Sequence, residues 1–202
     1  MLIREIVAFP IHVLVSERTK RAGSKTLKYH LVSGELPFGS IWETEHEFCV
    51  ASPLLTLYQL AATLSKTQLA MAMYEMCGTF TTFKPSPVIE DLLEAARAHG
   101  CLPTSNWRRV TDNSSRPSSL WKRPPLIDID ELVQFAANLK GRRHSLKFQQ
   151  AVELVTGITA SPFEAQLSLL LATPRKEGGA GLRCFENNKQ ISLSFKAARI
   201  AD

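Results

Sequence analysis

Apolar and polar positions change their period near residue 52. Before it, AFPIHVLVS, TLKYHLVS and HEFCVAS are short runs rich in β-branched and aromatic residues. Turn residues separate them at Gly23-Ser24, Gly34, Pro37 and Gly39-Ser40, and the pattern predicts strands. The polar stretch SERTKRAGSK reads as an exposed hairpin or loop.

After residue 52 the period is helical. Leu54, Leu57, Tyr58, Ala61 and Leu64 fall on one face, with Ser52 as N-cap and Pro53 at the first helical position. Ser65 starts a second helix, TQLAMAMYEMC, which Gly78 closes as a C′ residue; Met71, Met73 and Met76 are core filler. Ser86-Pro87 opens a helix that runs to Gly100. Residues 103–127 carry four of the eleven prolines among Asn, Ser and Arg, and read as a long loop or linker. Helices follow at about 130–139, capped by Asp128 or Asp130, and at about 144–155, ended by Gly157. A last helix starts at Pro162 and ends near Thr173, stopped by Pro174 and Gly178-Gly179. GLRCFENN and KQISLSF then read as strands.

This order predicts an α+β fold. A β-rich N-terminal layer leads into helices, and a final helix is followed by a β-hairpin. The division it suggests is an N-terminal α+β domain over 1–102, a Pro/Ser/Arg-rich linker over 103–127 and a helical C-terminal part over 128–202.

Composition changes this picture little. The 202 residues are 45% apolar and 21% charged, an ordinary globular balance with enough apolar mass for a core. No apolar run reaches the roughly 18–20 residues of a membrane helix. Glu5, Pro10 and His12 interrupt the N-terminal apolar stretch and no small-x-small cleavage pattern follows it. It therefore reads as mature structure in a cytoplasmic protein with no membrane partner. Cys49, Cys77, Cys101 and Cys184 are widely spaced and the five histidines show no HxxxH or HExxH pattern, so no metal signature rests on Cys or His.

Charge adds more. Between Thr104 and Lys147 lie nine basic residues against four acidic ones, which accounts for the whole net charge of +5. Lys140, Arg142, Arg143 and Lys147 cluster where Gly141 breaks one helix and the next begins; Arg143 and Lys147 are four apart and share a face. Trp107-Arg108-Arg109 and Trp121-Lys122-Arg123 each set an aromatic ring beside two cations. Such groups suit phosphate neutralisation and base stacking, and DNA is the expected partner. They suit equally a solvated helix face and tryptophans tucked into a core.

Two stretches share an opening, ASPLLTLYQLAA at 51–62 and ASPFEAQLSLLL at 160–171. Only the second carries a glutamate at N3. Ser161-Pro162-Phe163-Glu164 is S-x-x-E, the capping-box spacing, in which serine accepts from the N3 amide and glutamate reaches back to the N-cap amide. No P-loop, G-x-G-x-x-G, G-x-S-x-G or kinase signature is present, and Gly178-Gly179-Ala180-Gly181 reads as a turn.

The landmarks VASPLLTLYQLAATL, YEMCGTF, SLWKRPPL and TASPFEAQLSLLL with the following GGAGL occur in a familiar order. From about Pro10 to Asn188 the chain resembles an uncharacterised actinobacterial family related to restriction-endonuclease-like, PD-(D/E)XK, domains. It is similar, more loosely, to abortive-infection antitoxin-like proteins. The resemblance implies that Glu164 descends from a catalytic metal ligand, a role compatible with capping. It also implies that the C-terminal part is the incomplete front half of such a nuclease core. After Glu164 the only acids are Glu177, Glu186 and Asp202, and no Glu-x-Lys strand follows. Phosphodiester hydrolysis with Mg²⁺ needs two or three clustered carboxylates. The chain therefore looks truncated before the catalytic strands. It is expected to be inactive alone, with no cofactor of its own and Mg²⁺ only if the site is completed elsewhere. Three roles stay open: DNA binding without cleavage, an antitoxin-like or regulatory module acting through DNA or a partner protein, and a nuclease completed by a partner chain.

Overall fold

A computed structural model describes residues 10–16, 24–32, 34–44, 47–99, 107–182 and 185–188. Its elements in chain order are β1 (Ile11–Val15), β2 (Leu27–Leu31), β3 (Ile41–Glu43), β4 (Cys49–Ala51), α1 (Pro53–Leu60), α2 (Lys66–Cys77), β5 (Phe80–Thr82), α3 (Pro87–Ala98), β6 (Arg108–Thr111), β7 (Pro117–Lys122), α4 (Ile129–Asn138), α5 (Ser145–Val152) and α6 (Pro162–Ala172). A 3₁₀ turn at Arg175–Glu177 follows. The fold is mixed α+β with small sheets, as the periodicities predict.

The core is built around α2. Leu69, Ala70, Met73, Tyr74 and Cys77 of this helix are buried, and α2 packs against α1, α5, α6 and β5. Leu57 of α1, Leu132 and Phe135 of α4, Phe148 of α5 and Ala165 and Leu169 of α6 close the same cluster. Tyr58, Phe135 and Phe148 meet with ring centroids 6.0–6.5 Å apart, two of the three contacts edge-on. The helix starts follow the sequence signals. Ser52, Ser65 and Ser161 each accept from the N3 amide, and Ser65 with Gln68 forms a full capping box.

Three expectations change. Residues 108–111 and 117–122 are strands, so the stretch read as a linker contains a hairpin, and β7 pairs on both sides in the order β5-β7-β6. Pro117 hid it. It sits at the first residue of β7, where a missing N–H costs least. Between the strands, the Asp112 carboxylate accepts the Ser114 and Arg116 amides, a turn built from polar residues alone. The core draws residues from both sides of this hairpin.

The N-terminal strands also differ. They form two separate pairs. β1 and β2 are parallel, so SERTKRAGSK does not join them as a hairpin; its residues 17–23 lie outside the described residues. β3 was not anticipated, and it pairs antiparallel with β4.

Finally, the described part of GLRCFENN is not a strand; Asn187 and Asn188 form a turn, with Asn188 at φ 51°. KQISLSF lies outside the described residues. No helix among the described residues is long and apolar enough to cross a membrane.

Candidate functional site

Glu164 sits in the first turn of α6, and the local chain engages both of its carboxylate oxygens. Ser161 accepts the Glu164 amide at 3.2 Å, as the S-x-x-E spacing predicts. The return bond differs from a capping box. Glu164 Oε2 accepts the amide of Ala160, at 2.8 Å, and Oε1 accepts the Ser161 hydroxyl, at 3.0 Å. The Asn188 side-chain amide adds a bond to Oε2 at 3.0 Å and bonds the Ile158 carbonyl as well. Desolvation pushes the Glu164 pKa up. The bonds from Ala160, Asn188 and Ser161, with the nearby Lys122 charge, outweigh it and hold the carboxyl below its ordinary value.

A polar chain extends inward from this helix start. Ser168 bonds the Glu164 carbonyl and the Asn187 side chain, Asn187 bonds Thr156, and Thr156 meets the Tyr74 hydroxyl, which donates to the Leu154 carbonyl. Asn187 and Asn188 thus clip the 185–188 turn onto α6. Neither was singled out from the sequence; the Asn pair just after the Gly-rich turn is the only signal that marks them. Among the described residues no three His, Cys, Asp or Glu side chains gather as a metal group.

The basic residues are of two kinds, and Arg142 and Lys147 share in both. Five of them donate to backbone carbonyls. Arg123 is 4% exposed and reaches the carbonyls of Glu75, Gly78 and Pro124 at the end of α2. Lys122 bonds the Ala160 carbonyl, and Lys147 bonds the Leu64 carbonyl at 3.0 Å. Arg109 bonds the Ser118 carbonyl and pairs with Glu90, both at 2.6 Å. Arg142 bonds the Glu35 carbonyl at 2.6 Å but stays exposed.

The two tryptophan-cation triplets explain each other. Arg109 lies opposite Trp121 in the β6–β7 register and stacks over its ring, 5.4 Å from the centroid. Arg123 in turn lies 5.9 Å from the Trp107 centroid. Each triplet supplies the cation for the other's ring, a cross-strand exchange that stabilises the hairpin. Trp121 is buried and donates its indole N–H to the Phe83 carbonyl. Arg123, taken from the sequence as a DNA contact, is a buried structural cation, and Arg109 and Lys122 are committed to the fold.

The second kind faces solvent. Arg108 is exposed on β6; Lys140, Arg142 and Arg143 are exposed on the turn between α4 and α5, with Lys147 half-buried beside them. Gly141 at φ 80° and His144 at φ 64° give this turn its left-handed kinks. The Tyr58 hydroxyl holds its backbone by donating to the Arg143 carbonyl at 2.7 Å. No carboxylate lies in the sequence between Glu131 and Glu153.

Comparisons with protein-family models, with curated proteins and with solved structures find no significant match to this chain.

Proposed function

We propose that this protein binds DNA through the α4–α5 turn and does not cut it alone. The observation that carries the reading is the exposed trio Lys140, Arg142 and Arg143 on a turn held by two left-handed residues, with no acid from 132 to 152. Cations grouped this way neutralise neighbouring phosphates and release counterions. Arg108 adds a further exposed cation on β6. On this reading the chain is nuclease-related, its C-terminal part the front of a restriction-endonuclease-like core, and Glu164 is retained as a helix cap.

The test is fluorescence anisotropy on labelled duplex DNA across salt concentrations. Three phosphate contacts predict a log–log salt slope that changes by about 0.9 for each contact removed. The variant Lys140→Ala/Arg142→Ala/Arg143→Ala should flatten the slope, and Arg109→Ala should not. No salt-dependent binding at low ionic strength sinks the reading. Mg²⁺- or Mn²⁺-dependent cleavage by this chain, lost in Glu164→Ala, would replace it with an active nuclease.

One observation favours a second reading, an antitoxin-like module acting through protein contacts. Phe163, Leu167 and Leu170 recur at helical spacing along α6 and are 73%, 46% and 55% exposed. Leu167→Glu separates the two: it leaves DNA affinity intact on the first reading and removes capture of a partner on the second.

A further inference from the structure

Two histidines distant in sequence face each other on the parallel pair β1–β2. In the register, His12 lies opposite Lys28 and Leu14 opposite His30, which places His12 and His30 on one face, one step apart on the diagonal. Their rings are tilted by 33° with centroids 4.8 Å apart, and His30 Nε2 lies 3.0 Å from His12 Nδ1. We propose that His12 and His30 form a bidentate site for a divalent transition-metal ion of the imidazole-preferring class, copper or nickel first and zinc after them.

The geometry carries this. A metal bound at the usual 2.0–2.1 Å from both nitrogens, with the nitrogens where they now stand, subtends about 90° between them. That is the cis angle of a square-planar or tetragonal centre, which Cu²⁺ and Ni²⁺ prefer; a tetrahedral zinc site needs the rings to part by a few tenths of an ångström. The two nitrogens are already spaced for one ion, which would replace the hydrogen bond between them. Without a metal, one ring must donate to the other, so the pair has a neutral, lone-pair-bearing nitrogen in place. His12 is exposed and His30 half-buried, so an ion reaches the pair from solvent.

Among the described residues no third ligand joins them, and the remaining positions go to water or an exogenous donor. Lys28 opposes the site by its charge. Among the described residues these two strands pair only with each other, so binding would clip them together and give the bound metal a structural role.

The experiment is calorimetric titration of the full chain with Ni²⁺ and Cu²⁺, accessible thiols alkylated, against variants. Single-site binding is expected. His12→Ala and His30→Ala should each weaken it by more than the about 10–100-fold that loss of an outer-sphere partner costs. His46→Ala/His99→Ala/His144→Ala should bind as the parent does. Copper bound to the parent should show two nitrogen couplings by electron paramagnetic resonance, and none in His12→Ala/His30→Ala. Unchanged affinity in that double variant, or no binding by the parent, overturns the proposal. Should the histidine variants lose structure, Lys28→Ala decides. It keeps both ligands and removes the opposing charge, so it should tighten binding by about two- to fivefold; unchanged or weaker binding overturns the site.

Discussion

The Glu164 carboxylate accepts the backbone amide of Ala160, one residue before the N-cap serine whose amide a capping box would use. The carboxylate still satisfies an amide at the entry to α6, and the Ser161 hydroxyl both accepts from the Glu164 amide and donates back to its side chain. Glu164→Ala is expected to destabilise the fold by about 0.5–2 kcal/mol, the range for a lost helix cap, measured by urea unfolding. Glu164→Gln, which keeps an acceptor oxygen, should cost less. A loss well below 0.5 kcal/mol in the alanine variant would show that these bonds are made no better than those to water.

The same carboxylate predicts a pH dependence. Its folded pKa is held below the unfolded one, so its contribution is fully present above the ordinary carboxylate range. That contribution fades as the pH falls through the folded value. The stability difference between parent and Glu164→Gln should therefore shrink on acidification and vanish below the folded pKa. Unfolding curves at several pH values check it, and a difference that grew in acid would contradict the bonding described.

Arg123 gives the largest expected loss. Its guanidinium is buried and serves three carbonyls around the end of α2, where helix carbonyls lack intrahelical partners. Burial pulls its pKa down, against the raising influence of Glu75 and Cys77. Arg123→Ala leaves those carbonyls unpaired and should cost at least about 1.5–3 kcal/mol. Arg123→Lys should not restore it, because an ammonium cannot span the same fork. Arg108→Ala, on an exposed side chain of the neighbouring strand, should fall within about 0.5 kcal/mol of the parent.

Two thiols should react very differently. Cys77 is buried at the end of α2. Desolvation, then the Asp128 and Glu131 carboxylates, push its pKa up to about 12, against a lowering by Arg123. Cys49 is exposed on β4. Because the thiolate is the nucleophile, alkylation of the native protein should label Cys49 quickly and Cys77 only on unfolding. Peptide mass spectrometry after timed iodoacetamide treatment reads both sites.

The helices were legible because their signals are local. Ser-Pro entries placed α1 and α6, and the Ser65 cap placed α2, within a few residues. The β6–β7 hairpin was not: Pro117 and the polar turn at 112–116 masked two adjacent strands, and only β5, the third strand of the sheet, comes from far earlier in the chain. Arg109 on Trp121 and Arg123 on Trp107 are reciprocal contacts set by the strand register, which residue type and spacing do not reveal. The same limit hid His12 beside His30 and Asn188 beside Glu164. Composition gives the number of basic residues but does not say which cations turn inward to carbonyls.

Gly78 and Gly141 separate two reasons for a glycine, and substitution should tell them apart. Gly78 was expected to close α2 as a C′ residue, a place where glycine is usually left-handed. Its φ of −82° and ψ of 171° are extended, which any residue adopts. What requires glycine there is space: a Cβ would lie 2.6 Å from the Tyr74 carbonyl oxygen and 2.8 Å from that of Thr159, whose carbonyl also accepts the Thr79 amide. Backbone cannot swing aside as a side chain does, so Gly78→Ala should cost about 1–3 kcal/mol as overpacking. Gly141 is the reverse case, at φ 80° with nothing within 4 Å of a Cβ. Gly141→Ala should cost about 1–2 kcal/mol through conformation alone, and Gly141→Asn less, because asparagine tolerates the left-handed region. At Gly78 the order should invert, with asparagine worse than alanine because it is larger. Unfolding midpoints of the four variants check both orders, and a Gly78→Asn variant more stable than Gly78→Ala would rule out the steric account.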